Sequence, residues 1–392
     1  HLSQFAVAAR KYPFYPDLER QAKMIRPRGK APDPNTSPEA KQEHPLARRP
    51  HSRYNHLYTT GQHKTMKEPP IIDQGYGIAT IDTGFQRPGL VASHLIVEGD
   101  RAALVDVGVA PAAPRILEAL QLKGVRRENV DLVMVTHVHL DHAGGAGVLM
   151  RELPNARLVV HPRGARHMID PSKLIAGATA VYGEAEMRAS FGDILPVAEG
   201  SLIEAADGFR LDLNGRPLLF LDTPGHARHH YSVFDERSRG FFAGDTFGLS
   251  YREFDTVQGA FVFPTTSPVQ FDPEALHASI ERLLSYEPQR MFLTHFGCVG
   301  EPRRLADQLH EHIDRLVAIT REAAAGGSRR GDFIRKRMTS WLLESLRSHG
   351  CLLSQERIHD VMAMDIELNA QGLEYWAEHS CAVTAGNRQG AQ

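Results

Sequence analysis

The chain lacks most of what would mark a secreted, membrane-bound or polyanion-binding protein. Only three of its 392 residues are cysteine. Cys298, Cys351 and Cys381 are odd in number and far apart, which argues against a disulfide framework and favours a reducing, cytoplasmic setting. No apolar run approaches the roughly eighteen residues that a membrane-spanning helix needs. No pattern of basic start, apolar core and cleavage site marks a signal peptide. An excess of one charge is missing as well. A net charge of −2 gives no global electrostatic reason to expect a nucleic acid or a membrane as partner. What is left, 42% hydrophobic and 23% charged, is the balance of an ordinary globular protein. Its length suits one large domain with extensions, or two domains.

The most informative stretch runs from Asp131 to Gly147. Leu132 to Thr136 is an apolar, β-rich run that reads as a buried strand. His137, His139, Asp141 and His142 follow immediately, and the small residues Ala143 to Gly147 then allow a tight turn into a helix. Imidazole and carboxylate are the ligand types of a borderline divalent metal, so four of them in six residues form a candidate site. Further polar residues also follow apolar strand runs. Asp106 closes Ala102 to Asp106, and His226 follows Leu218 to Asp222 and a Pro-Gly turn. Asp245 ends Arg239 to Asp245, and His295 ends Arg290 to His295. Side chains at the strand ends of a shared sheet converge on one edge, held by rigid elements. His161 and His167, in H-P-R-G-A-R-H, read as supporting or surface histidines. Cys298 reads as a small buried apolar residue.

The rest of the chain frames this region. Residues 1–70 are rich in Pro, Arg, Lys and His and poor in periodic apolar positions, so a disordered basic extension is expected. The chain starts at His1 and Met66 stands just before the first patterned segment, which leaves residues 1–65 open to being non-native upstream sequence. Order is expected from Ile71. Strands are predicted over Gly77 to Thr83, Val91 to Glu98, Arg157 to His161 and Phe209 to Leu213, with turns at Glu98-Gly-Asp100 and Asn214-Gly215. A helix is expected after Pro111, another over Val148 to Leu153, and a helical insertion over the site mouth at 170–195. Beyond Gly300, apolar periodicity predicts helices over Arg303 to Ala325, Phe333 to Leu346 and Ser354 to Ile366, and Asn369 to Trp376 resembles a closing segment found in one branch of a known family.

T-H-V-H-L-D-H-A-G-G, with the later T-P-G-H, G-D and T-H segments, resembles the signature of the metallo-β-lactamase superfamily. The resemblance covers about residues 75–300. It implies an α/β fold, the four-layer αβ/βα sandwich, with a catalytic domain over 71–300 and a helical extension over 301–392 packing on it. It implies two divalent metal ions, zinc first, with iron or manganese also suited to such ligands. His137, His139 and His226 would hold one, Asp141, His142 and His295 the other, and Asp245 would bridge them. Asp106 would orient a ligand without binding metal. His230, four residues after His226, would support the site from behind, a place that His229 does not fit.

The implied activity is hydrolysis of a thioester, ester or lactone by a hydroxide shared between the metals, with Asp141 steering that nucleophile or passing a proton to the leaving group. Strict β-lactamases typically carry cysteine where this chain has Asp245. G-H-A-x-H-H and H-P-R-G-A-R-H are similar to an uncharacterised branch of the superfamily. Two other readings stay open: a phosphodiesterase or nuclease, although no polynucleotide-binding arm is evident, and a di-iron redox or oxygen-binding protein, although such relatives usually carry Glu where His139 stands. A small-molecule substrate is expected, with no nucleic acid or membrane partner, and a homo-oligomer is left open.

Overall fold

A computed structural model describes residues 70–266, 269–323 and 329–389. The expected disordered extension lies outside the described residues. The described residues form one compact unit. Two mixed sheets make its centre. The first runs in the order β1 (Ile71–Gly75), β2 (Ile78–Asp82), β3 (Ala92–Glu98), β4 (Arg101–Val105), β5 (Val130–Met134), β6 (Arg157–Val160) and β7 (Leu202–Glu204). β1 to β4 are antiparallel and β4 to β7 parallel. The second runs β13 (Gly297–Val299), β12 (Arg290–Leu293), β11 (Gly240–Gly244), β10 (Tyr231–Asp235), β9 (Arg216–Asp222) and β8 (Arg210–Leu213), with only β11 and β12 parallel.

The alternation of side chains along each strand explains the layering. In the first sheet Ala103, Val105, Leu132, Met134 and Val159 turn inward. They meet Leu218, Phe220, Val233, Phe242 and Phe292 of the second sheet in one apolar cluster. Their neighbours point the other way. Ala102, Leu104, Val133, Leu158 and Val160 pack on helix α1 (Ala113–Leu122), through Ile116 and Leu120, and on Leu149. On the far side Leu219, Leu221, Phe241, Met291 and Leu293 pack on α6 (Pro273–Leu284), α7 (Pro302–Glu322), α8 (Arg330–Ser348) and α9 (Gln355–Gln389). The result is helix, sheet, sheet, helix. Along the chain, α2 (Leu140–Ala143), α3 (Ala146–Glu152), α4 (Pro162–Ile169) and α5 (Ser172–Tyr182) come between α1 and α6. The two sheets are also joined through one buried arginine of the second sheet. Arg216, 1% exposed, grips Asp235 with two nitrogens at 2.9 and 2.6 Å and donates a third bond to the carbonyl of Tyr76 at 2.7 Å.

Nine predicted strands are present with small shifts at their ends, and β1, β7, β10 and β13 were not predicted. β7 and β13 are only three residues each, too short to show an alternation. β10 begins directly after His230, so the site histidines obscured its start. The separate segments expected over Ser354 to Ile366 and Asn369 to Trp376 are one helix, α9, because neither Gly nor Pro stands between them to stop it. The expected insertion at 170–195 contains α5 and two further helical turns. Among the described residues no helix is long and apolar enough to cross a membrane.

His94 and His312 are core histidines away from the candidate site. His94 spans the sheets, its Nδ1 3.2 Å from Thr80 Oγ1 and its Nε2 3.1 Å from the carbonyl of Leu293. His312 on α7 has Nδ1 3.0 Å from the carbonyl of Val262. Burial pushes each down to about 4. The unfolded chain, with ordinary histidines, therefore binds more protons than the native one between about pH 6.5 and 4, and stability is lost as the pH drops through that window. Each histidine should account for roughly 1–2 kcal/mol between pH 7 and 5. His312→Gln, which keeps a donor, should flatten the fall in denaturant midpoint measured in chelator. An unchanged slope would show that His312 is not held neutral.

Candidate metal centre

Asp106 follows β4 with φ +50° and is fully buried. That left-handed backbone turns its carboxylate into the space between the ends of the two sheets. There it accepts bonds from the Thr136 backbone N–H at 2.8 Å and Thr136 Oγ1 at 2.9 Å. Thr294 Oγ1 donates at 2.6 Å and His142 Nδ1 at 2.8 Å. Thr136 precedes His137 and Thr294 precedes His295, so one carboxylate fixes two loop starts and one ring. With Nδ1 occupied in this way, His142 presents Nε2 to the interior of the site.

The remaining candidates gather around that nitrogen. His137 Nε2 lies 2.8 Å and His226 Nε2 3.0 Å from His139 Nδ1. Opposite them, Asp141 Oδ2 lies 3.3 Å from His295 Nε2 and 3.8 Å from His142 Nε2. Asp245 stands between the two sets. Its Oδ2 is 3.3 Å from His226 Nε2, while Oδ1 is 3.2 Å from His142 Nε2 and 3.6 Å from His295 Nε2. Three overlapping groups could hold a metal: His137, His139 and His226; Asp141, His142 and His295; and His137, His142 and Asp245. The last mixes members of both sets. The first two describe the site better, because the oxygens of Asp245 turn to opposite sides. His142 Nε2 and Asp245 Oδ1 are buried without a hydrogen-bond partner. Donor atoms left bare inside a protein are costly unless something else satisfies them, so the residues fit a cation.

The electrostatics differ between the sides. Burial pushes His139 down to about 3, with His226 adding to the effect, and burial also holds His137 and His226 below the ordinary histidine range. These rings are neutral and ready to donate lone pairs. Burial opposes charge on His142 too, but Asp245, Asp106 and Asp141 outweigh it and raise that ring. Asp245 is buried yet held low by His142, His226 and His295.

The supporting residues are equally defined. The Asp245 backbone N–H donates to His230 Nε2 at 3.1 Å. His230 Nδ1 lies 2.9 Å from Thr223 Oγ1 and 3.1 Å from Thr246 Oγ1. Both ring nitrogens are thus used, and His230 serves as a brace for Asp245. His161 is bound to Asp222 at 2.9 Å and caps α4, and Arg166 donates to His167 at 3.3 Å; neither joins the donor groups. Burial raises the Cys298 thiol to about 11, which keeps it neutral. His229, set aside from sequence, is buried with its ring centroid 6.1 Å from that of His137 and 5.7 Å from that of His139. Sequence reasoning also missed Thr136, Thr294 and Thr265, although T-H occurs at both loop starts. Gly147 and Gly244 are among the glycines that leave no room for a side chain. A Cβ on Gly147 would sit 2.0 Å from the Leu195 carbonyl, and one on Gly244 2.5 Å from His230 Nε2.

The model of the metallo-beta-lactamase superfamily matches residues 87–295, more than half of the chain. The chain belongs to the metallo-β-lactamase superfamily. A metallo-beta-lactamase fold-containing protein of Sulfurisphaera tokodaii is 25% identical over 198 residues, covering 48% of this chain and 68% of the relative. A hydroxyacylglutathione hydrolase of Cronobacter sakazakii is 27% identical over 146 residues, 37% of this chain and 42% of that enzyme. The crystal structure of a metallo-beta-lactamase family protein from Thermus thermophilus superposes with a TM-score of 0.54 at 20% identity, over 78% of this chain and 94% of that one. The likeness of that structure is one of fold.

In this superfamily member the Asp106 network carries a direct consequence for stability. Asp106→Ala strands Thr136 N–H, two hydroxyls and the His142 ring, which should cost roughly 3 kcal/mol or more. Asp106→Asn, keeping one acceptor oxygen, should lose less. Urea unfolding of metal-free protein reads both. An alanine variant within about 1 kcal/mol of wild type, on the scale of an ordinary surface change, would show that the network does not hold the site together.

Proposed function

We propose that the protein is a dinuclear-metal hydrolase of carbonyl ester-type bonds, that is thioesters, esters or lactones. The observation that carries this reading is Asp245, with one carboxylate oxygen toward His226 and the other toward His142 and His295. His137, His139 and His226 would hold one ion, Asp141, His142 and His295 the other, and Asp245 both. Zinc suits this mix of imidazole and carboxylate, as do iron and manganese. When bound, such an ion pair acidifies water and polarises the oxygen of the scissile group.

The chain's own residues supply the rest. Asp141 is 29% exposed at its side chain, against 6% for Asp245, so it faces the approach to the site. His142 and then His295 keep its carboxylate ionised despite burial. Ionised and facing the approach, the Asp141 carboxylate would steer the nucleophile or relay a proton to a leaving group. The hydroxyacylglutathione hydrolase relative supports the ester-type reading, though the chain spans less than half of that enzyme.

Metal-replete protein should hold two ions per chain by elemental analysis, and no more than traces after reconstitution would end the reading. His139→Ala should abolish most turnover while leaving the fold intact by circular dichroism. Across a substrate panel, the best thioester, ester or lactone should exceed the best phosphodiester in kcat/KM. The reverse order would reject the carbonyl assignment. Asp141→Asn should lose more on poor leaving groups than on activated ones at equal metal content. Equal losses on both would remove proton delivery from its role.

A further inference from the structure

We infer that the C-terminal helix α9 is a working part of the metal centre, with Asn369 as a positioning residue that sets the ring of His226 through residues 264–266. The inference rests on His226 being a ligand. Asn369 is 3% exposed, and its side-chain oxygen accepts from both the backbone N–H and the hydroxyl of Thr266, the latter at 2.9 Å. Its amide nitrogen donates to the carbonyl of Pro264 at 3.3 Å. Asn369 therefore clamps the residues on either side of Thr265.

Thr265 is the link to the site. Its Oγ1 lies 2.9 Å from His226 Nδ1 and donates to the carbonyl of Asp245 at 3.3 Å. For His226 to ligate through Nε2, Nδ1 must carry the ring proton and donate it to Thr265. One hydroxyl then accepts from a ligand ring and donates to the backbone of the carboxylate between the two donor sets. A shift of this hydroxyl rotates His226 directly.

A second contact shows that α9 faces the site with more than apolar surface. Asp365, one turn before Asn369 and so on the same face, is buried and accepts from Tyr251 OH at 3.0 Å. Polar side chains are rare on a buried helix face unless their partners need them. These two meet loops on the site side of the second sheet, while Ile366, Ala370 and Leu373 carry the apolar packing.

Cobalt(II) titration of metal-free full-length protein against a competing chelator tests the inference, with the cobalt absorption spectrum recorded throughout. Asn369→Leu should weaken one of two cobalt equivalents about tenfold, within the range for partners behind a ligand, and shift the bands of that equivalent. Asn369→Asp, which keeps the acceptor for Thr266, should restore most of the affinity. Leu373→Ala removes packing from the same helix and should lower Tm at least as much while leaving cobalt affinity unchanged. Should Asn369→Leu fail to fold, Thr265→Val removes the linking hydroxyl without touching α9 and should weaken the same equivalent. Wild-type affinity in Asn369→Leu, or in Thr265→Val, overturns the inference, as does equal weakening by Leu373→Ala. Wild-type protein that takes up no cobalt overturns the metal reading as well, whereas failure of the variants alone leaves that reading standing.

Discussion

The loops that carry His137 and His295, and the ring of His142, hang from the carboxylate of Asp106. It is buried between the ends of two sheets that share no hydrogen-bonded strand, and its partners come from both. Thr136 follows β5 of the first sheet and Thr294 follows β12 of the second. An ion in such a place is tolerable only when its lone pairs are filled, and here they are filled by the residues immediately before His137 and His295. The constraint runs in both directions. The sheets create the dry pocket that makes the hydrogen bonds strong, and the hydrogen bonds set where the loops leave the sheets. The strained φ of Asp106 is consistent with a position determined by its surroundings.

The candidate donors were legible because metal chemistry limits the residue types and sheet geometry limits their places. H-x-H-x-D-H packs four side chains onto one loop, and its spacing survives any error in strand boundaries. The distant donors, His226, Asp245 and His295, were legible by resemblance and by standing at the ends of apolar runs. The supporting residues were harder to see. Thr223, Thr246 and Thr265 act through single hydroxyls whose partners lie 7, 16 and 39 residues away, and nothing in local pattern marks such pairs. The short strands β7 and β13 were hidden for a related reason: partners elsewhere in the sheet create them, and their own three residues do not.

The C-terminal helices show how a pattern can be right about type and wrong about extent. Their periodic apolar residues announced helices that need a partner, and Leu305, Ile334, Met362 and Leu373 do share one core with the second sheet. The expected helix stopped at Ile366, three residues short of Asn369, whereas α9 runs on through it. The Asn369 side chain is spent on Thr266 and Pro264, which removes the competition with the backbone that makes Asn a poor interior helix residue. The tertiary partner explains both the uninterrupted helix and the choice of residue.

The position of Asp245 is determined from three directions, which bears on why a carboxylate stands there. Its backbone N–H is pinned by His230, itself fixed by two threonines, and its carbonyl accepts from Thr265. Gly244 before it has φ +48° and no room for a side chain. With the main chain held this firmly, the side chain has little freedom to choose between the two donor sets. A thiolate would offer a single sulfur at one point in space. A carboxylate offers two oxygens about 2.2 Å apart by ordinary covalent geometry, one for each set. Such a backbone therefore favours Asp wherever both sets are to be served at once, and the rigidity that looks like structural excess is what lets a single side chain answer two partners.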